Sequence, residues 1–155
     1  MDYHLAQVNI AKRKASLDDP IMVDFVNNVN KINGIADQSD GFIWRMKDED
    51  KDLGIEIFHD DSIIINISVW KDLGSLFNYT YKSGHIDVFK RKKEWFINTK
   101  KAHMAFWYVP AGYRPNFQDA KNRLDYLDEH GESPYAFSFK SKFSPEDALT
   151  YNPLI

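Results

Sequence analysis

The chain contains no cysteine, which excludes a disulfide, a thiolate nucleophile and a cysteine-ligated metal or cluster and fits a reducing compartment. It also lacks a phosphate-cradling glycine loop, a dinucleotide fingerprint and a nucleophile elbow. Neither a paired-histidine zinc spacing nor a calcium-loop pattern is present. No apolar stretch approaches the roughly 20 residues that cross a bilayer. The opening MDYHLAQVNIAKRK has no long apolar core of the signal-peptide kind. A net charge of only −3 gives no electrostatic reason to expect nucleic acid or an anionic membrane as partner. The expectation left by these absences is a soluble, cytoplasmic, single domain over residues 1–155, with its core at about residues 3–143. A chain of 155 residues is long enough to bury a proper core.

What the chain does have is aromatic side chains, 15% of all residues, from 11 Phe, 8 Tyr and 4 Trp. The richest stretch is SIIINISVWKDLGSLFNYTYKSGHIDVFKRKKEWF, from Ser62 to Phe96. Its opening reads as a strand, and side chains alternate across a strand. Ile63, Ile65, Ile67 and Val69 therefore share one aliphatic face, and Ile64, Asn66, Ser68 and Trp70 share a mixed one. A sheet with one greasy face and one chemically equipped face has a cavity or a partner on the equipped side.

The other elements follow from periodicity and punctuation. Tyr3 to Ile10 alternates as a strand. Asp18-Asp19-Pro20 starts a helix, and the spacing of Met22, Phe25, Val26, Val29, Ile32 and Ala36 carries it to about Ala36. Phe42 to Met46 is a short strand, the DEDKD segment a loop and Ile55 to Phe58 a strand fragment. Asp72 caps a helix whose Leu73, Leu76, Phe77, Thr80 and Tyr81 point inward, and Gly84 stops it. A helix from about Ile86 to Phe96, a strand from His103 to Val109, a helix between Asn116 and Gly131 and a strand from Tyr135 to Lys140 complete the series. The tail beyond Phe143 is expected to be loosely held.

The order β-α-β-β-α-α-β-α-β makes the first seven elements a split βαβ, that is, a ferredoxin-like α+β unit with an antiparallel sheet and helices on one face. If the aliphatic faces pack under the helices, the open face carries Gln7, Asn9, Ile43, Arg45, Ile64, Asn66, Ser68 and Trp70. A homodimer whose two sheets face each other would cover that face and leave cavities lined by these groups.

Three stretches, INISVW, KDLGSLFNYTYKSGH and HMAFWYVP, resemble the dimeric α/β-barrel superfamily that includes the antibiotic-biosynthesis monooxygenases. Over roughly residues 4–143 the chain is similar to a bacterial family of unknown function within it. That likeness is carried by HLAQVNIAK, LDDPIMVDFV, GFIWR, NISVW, HIDVFKRKKEWF, WYVPAGYRP and PYAFSF. The resemblance implies a dimeric barrel and chemistry that needs no cofactor, in which an electron-rich substrate anion reacts with oxygen itself. Asn9, Asn66, Trp70 and His85 match the Asn, Trp and His of such sites, with Ser83 beside His85. Haem-degrading relatives use an axial histidine, but His85 sits later than their pattern requires, which disfavours haem.

Each candidate has a bland reading beside it. His85 is the best general base, since imidazole titrates near neutral pH, but a helix-terminal histidine also satisfies carbonyls. Arg45, between Trp44 and Met46, either clamps a carboxylate or enolate or makes a structural or interface ion pair. Asn66 and Ser68 orient a ligand or bond across strands. Trp70 and Trp107 wall a flat ligand or fill the core, and Tyr81 presents its hydroxyl or packs. His4 and His103 lean structural. His59-Asp60-Asp61 has metal-ligand residue types, but neighbours in one loop rarely converge on an ion, so no metal is expected. The run Lys90-Arg91-Lys92-Lys93 reads as the solvated side of a helix. The sequence thus points to a small-molecule pocket, used either for oxygenation or proton transfer on an aromatic or enolic substrate, or for binding without catalysis.

Overall fold

The computed structural model describes residues 2–47, 51–83, 90–98 and 101–155. Along the chain run β1 (Tyr3–Arg13), a 3-10 turn (Pro20–Met22) leading into α1 (Val23–Asp37), β2 (Phe42–Arg45), α2 (Lys51–Phe58), β3 (Ile63–Trp70) and α3 (Leu73–Lys82). Then come α4 (Lys92–Trp95), β4 (Phe96–Ile97), β5 (Met104–Pro110), α5 (Phe117–His130) and α6 (Pro145–Thr150).

The helix ends obey their local chemistry. Asp19 accepts from the Ile21 N–H at 3.0 Å ahead of α1, and Asp72 accepts from the Ser75 N–H at 2.8 Å to open α3. Asn116 with Asp119, and Ser144 with Asp147, form reciprocal capping boxes on α5 and α6. Gly131, at φ 77°, closes α5, a conformation that costs glycine least.

The sheet is five-stranded and antiparallel, and β1 is its axis. One edge of β1 pairs with β3 from Leu5↔Trp70 to Lys12↔Ile63. The other edge is shared: β5 takes Tyr3 to Asn9, and β4 takes Lys12 and Arg13. Outside β3 lies β2, with a register irregularity between Phe42 and Trp44. This is the ferredoxin-like α+β order expected from the sequence.

Both sheet faces carry a buried core. On the aliphatic side Ala6, Val8, Ile67, Val69, Ala105 and Trp107 form one core with Phe117, Ala120 and Leu124 of α5, backed by Ile57 and Phe58 of α2. On the mixed side Leu5, Trp70 and Phe106 join Ala36 of α1, Leu76 of α3 and Phe137. The crossover helices α1 and α3 thus share one face, but it is the mixed face rather than the aliphatic one. The reason is that the mixed face is itself apolar at one end, where Leu5, Trp70 and Phe106 gather. The aliphatic face is filled by α2 and α5, which lie outside the split βαβ. The face expected to lie open for a dimer is thus occupied within the chain at its Leu5–Trp70–Phe106 end, while Asn66 at the other end is exposed.

Several local expectations are corrected. Ile55 to Phe58 is the end of helix α2, not a strand fragment. Phe77 and Tyr81 face outward, 42% and 40% exposed, while Leu76 and Tyr79 face in. Tyr135 to Lys140 makes only isolated bridges, Ser133↔Ala136 and Phe106↔Phe137. Within the segment beyond Phe143, Pro145–Thr150 forms helix α6. Of the helix expected over residues 86–96, residues 86–89 lie outside the described residues, and the rest is α4 followed by β4. No helix among the described residues is long and apolar enough to cross a membrane.

Candidate functional site

Antiparallel register places odd-numbered side chains of β1 and even-numbered side chains of β3 on the mixed face, with Gln7 opposite Ser68 and Asn9 opposite Asn66. Gln7 and Ser68 are buried, and buried polar groups need partners. They find them in a ladder. The Trp70 Nε1–H donates to Ser68 Oγ at 2.8 Å, and Gln7 Nε2 donates both to Ser68 Oγ and to Asn66 Oδ1, each at 2.8 Å.

At its inner end the ladder stops in an aromatic box. Trp70, 1% exposed, meets Phe42 edge-on at 5.4 Å and stacks on Tyr79 at 4.9 Å. Burial pushes the Tyr79 phenol up, with the Asp37 carboxylate adding to the effect and Arg45 opposing it. At its outer end Asn66 is exposed, and its amide N–H groups make no hydrogen bond among the described residues. Asn9 stands beside it, half-buried. The face therefore runs from a dry indole to two adjacent, open carboxamides.

Arg45 lies opposite Ser68 on β2. Its guanidinium forks onto Asp37 at the end of α1, with Nε to Oδ1 at 2.8 Å and Nη2 to Oδ2 at 3.3 Å. That hydrogen bond holds the Asp37 carboxyl below the usual carboxylate range. Of the two readings of Arg45, the geometry displays the structural pair, which ties α1 to β2. Around it an open groove of about 660 Å³ runs along β2, bordered by Trp44, Lys47, Arg114 and Pro115 among others.

The structure brings Asn9, Asn66, Ser68 and Trp70 together and sets Arg45 at their flank. Trp107 is on the opposite face, 1% exposed in the aliphatic core, so Trp70 and Trp107 do not wall one ligand. Tyr81 packs its ring on Phe77 at 4.8 Å and Phe139 at 5.4 Å, away from the ladder. His85 lies outside the described residues.

Two members had no individual role in the expected site, Gln7 having been named only as part of the open face. Gln7, the hub of the ladder, is visible in the sequence as the polar interruption of LAQVNI. Tyr79 is legible as the next step of the Leu73–Leu76 stripe at helical spacing.

The described histidines stand elsewhere. His4 lies on the aliphatic side of β1, His103 sits opposite Ile10 through the Ile10 N–H to His103 O bond, and His59 and His130 end α2 and α5. The described residues thus offer no axial ligand for haem on the mixed face. No three His, Asp or Glu side chains among them converge as a metal site. Asp60 of the His59-Asp60-Asp61 turn instead accepts from Ser62 and Lys12.

The crystal structure of SnoaB, a cofactor-independent oxygenase from Streptomyces nogalater, is similar over 74% of this chain and 97% of that chain, at 13% identity and a TM-score of 0.46. NE2512, a protein of unknown function from Nitrosomonas europaea, is similar over 74% and 96%, at 9% identity and a TM-score of 0.48. Neither likeness carries chemistry to this chain. No curated protein matches the sequence. Residues 4–152 match the family described as Domain of unknown function (DUF3291), almost the whole chain, and the protein belongs to that family.

Proposed function

We propose that this protein binds a small planar molecule bearing a carbonyl, phenol or enol at the outer end of the mixed face, and that it holds the molecule through neutral amides. The observation that carries this reading is the ladder from Trp70 through Ser68 and Gln7 to Asn66. Its inner members satisfy one another, so the binding capacity that remains is at Asn66 and Asn9. A carboxamide offers both donors and an acceptor, which suits a ligand carrying a hydroxyl beside a carbonyl. A second copy seated on that end would close the site, so the homodimer belongs to this proposal.

Calorimetric titration with a panel of hydroxylated naphthoquinones and β-diketones tests it. At least one is expected to bind, and Asn66→Ala is expected to weaken binding about tenfold, close to 1.4 kcal/mol. Binding untouched by both Asn66→Ala and Asn9→Ala would sink the assignment. Native mass spectrometry of the same sample is expected to return a two-chain mass.

A catalytic reading is favoured by one feature, the unengaged amide donors of Asn66, which suit an enolate or phenolate oxygen. Such donors stabilise a developing anion without reorganising. On this reading the chemistry is proton transfer or cofactor-independent oxygenation, with His85 as the base. Oxygen uptake with a bound ligand is then expected, and His85→Ala is expected to abolish it while leaving affinity within about twofold. Equal uptake by the variant would leave binding as the whole function.

A further inference from the structure

At the edge of β5 lies a partly open cavity of about 270 Å³. Tyr3, Tyr108, Tyr135 and Tyr151 line it with prolines between them, and among the described residues Arg123 of α5 is the one charged residue in its wall.

The state of Arg123 is unusual. Its guanidinium lies 3.7 Å from the Tyr135 ring centroid and 5.7 Å from that of Trp107. One nitrogen, Nη1, donates to the Tyr135 carbonyl at 2.8 Å. Among the described residues no carboxylate forms an ion pair with it. The influential acid nearby, Asp119, already accepts from the Tyr113 hydroxyl at 2.6 Å and the Asn116 N–H at 3.1 Å. Burial pushes the Arg123 guanidinium down, which marks its charge as poorly compensated.

A desolvated charge is costly unless paired, and ring faces supply only part of what a carboxylate would. Arginine presents a planar fork that matches a carboxylate with two parallel hydrogen bonds. The hydroxyls of Tyr108 and Tyr151 are engaged with Phe143 O and Tyr126, which leaves their rings as apolar wall.

We infer that this cavity is a second binding site, for a small aromatic monocarboxylate whose carboxylate meets Arg123 and whose ring packs among the tyrosines. It is independent of the mixed-face site, and Trp107, a substrate-binding candidate from the sequence, lies beneath its arginine.

Benzoate and its neutral isostere benzamide are the probes, titrated into the full-length protein by calorimetry and by amide NMR. Benzoate is expected to bind with a Kd near or below about 1 mM, and benzamide at least about tenfold more weakly. Arg123→Gln and Arg123→Lys are both expected to weaken benzoate about tenfold or more, the lysine because it is a point charge without the fork. The lysine variant keeps the stem and a donor for Tyr135, so it separates lost recognition from lost folding, which circular dichroism monitors. Shifts are expected at the amides of Tyr135, Ala148 and Tyr151, with Asn66→Ala leaving benzoate affinity unchanged. Equal affinity for benzoate and benzamide, no binding at about 10 mM, or shifts centred on Asn66 would each overturn the inference.

Discussion

Ser68 accepts two hydrogen bonds on a single oxygen, from the Trp70 indole and the Gln7 amide, at a point closed to water. Removing that oxygen leaves the buried Trp70 indole N–H without a partner and the Gln7 amide with Asn66 alone, and a buried donor left unpaired costs about 1–3 kcal/mol. Ser68→Ala is therefore expected to lower the unfolding free energy by about 1–3 kcal/mol, read as a fall in the urea midpoint at unchanged m-value. Asp60 accepts from the Ser62 N–H at 2.8 Å, the Ser62 hydroxyl at 2.6 Å and Lys12 Nζ at 2.9 Å. These bonds, the Ser62 hydroxyl's foremost, hold its carboxyl at about 2 against an ordinary value of 3.8. A folded value below the unfolded one means that the stabilisation is present above pH 3.8 and drains away as pH falls toward 2. Asp60→Asn is expected to flatten that part of an acid-denaturation curve and to leave the profile above pH 5 parallel to the parent's. A variant as acid-sensitive as the parent there would discard Asp60 as the source.

At the scale of elements, α2 owes its seat to one missing side chain. A Cβ on Gly54 would come within 3.1 Å of Ile65 Cδ1 and of the Phe117 ring. Alanine is the better helix former by about 1 kcal/mol, while overpacking a filled core costs about 1–3 kcal/mol. Gly54→Ala is expected to destabilise on balance by about 1 kcal/mol, and a rise in melting temperature would show that the contact yields. The same helix explains a limit of sequence reading. Ile55, Glu56, Ile57 and Phe58 fit a period of two as well as a period of 3.6 over so short a run, and the packing against Phe117 that decides between them is distant in sequence. Strands β1 and β3 were legible because their alternation runs for many residues, β5 because aromatic side chains crowd it ahead of Pro110, and α1 and α5 because capping chemistry flanks them. The alternation also grouped Asn9, Asn66, Ser68 and Trp70 correctly on one face. It did not say which face the crossover helices would choose, since both are apolar where they must be. The outward turn of Tyr81 was missed for a similar reason: a two-residue step along α3 swings a side chain to the far side.

Across the whole molecule, the C-terminal segment acts as a strap rather than a tail. Tyr151 hydrogen-bonds Tyr126 through their hydroxyls, and the Leu154 N–H donates to the same Tyr126 oxygen at 3.1 Å. With α6 it walls the tyrosine cavity. A chain ended after Phe143 is expected to keep the sheet but lose benzoate binding. Its melting point should also fall by several degrees, at about 2–4 °C per kcal/mol for a chain of this size. An unchanged melting point would mean that the strap only rests on the fold.

The sheet order has one more outcome, in the order of synthesis. β1 leaves the ribosome before its partners, since its two edges are claimed by strands that begin at Ile63 and Met104. At translation rates of about 5–20 residues per second, the axial strand waits roughly 5–20 s before its last partner exists. During that interval a run of apolar, unpaired backbone is available to any other nascent chain nearby. The central strand of the finished protein is thus its most vulnerable part while being made, and yield in the cell should depend on holdase capacity and elongation speed as well as on final stability.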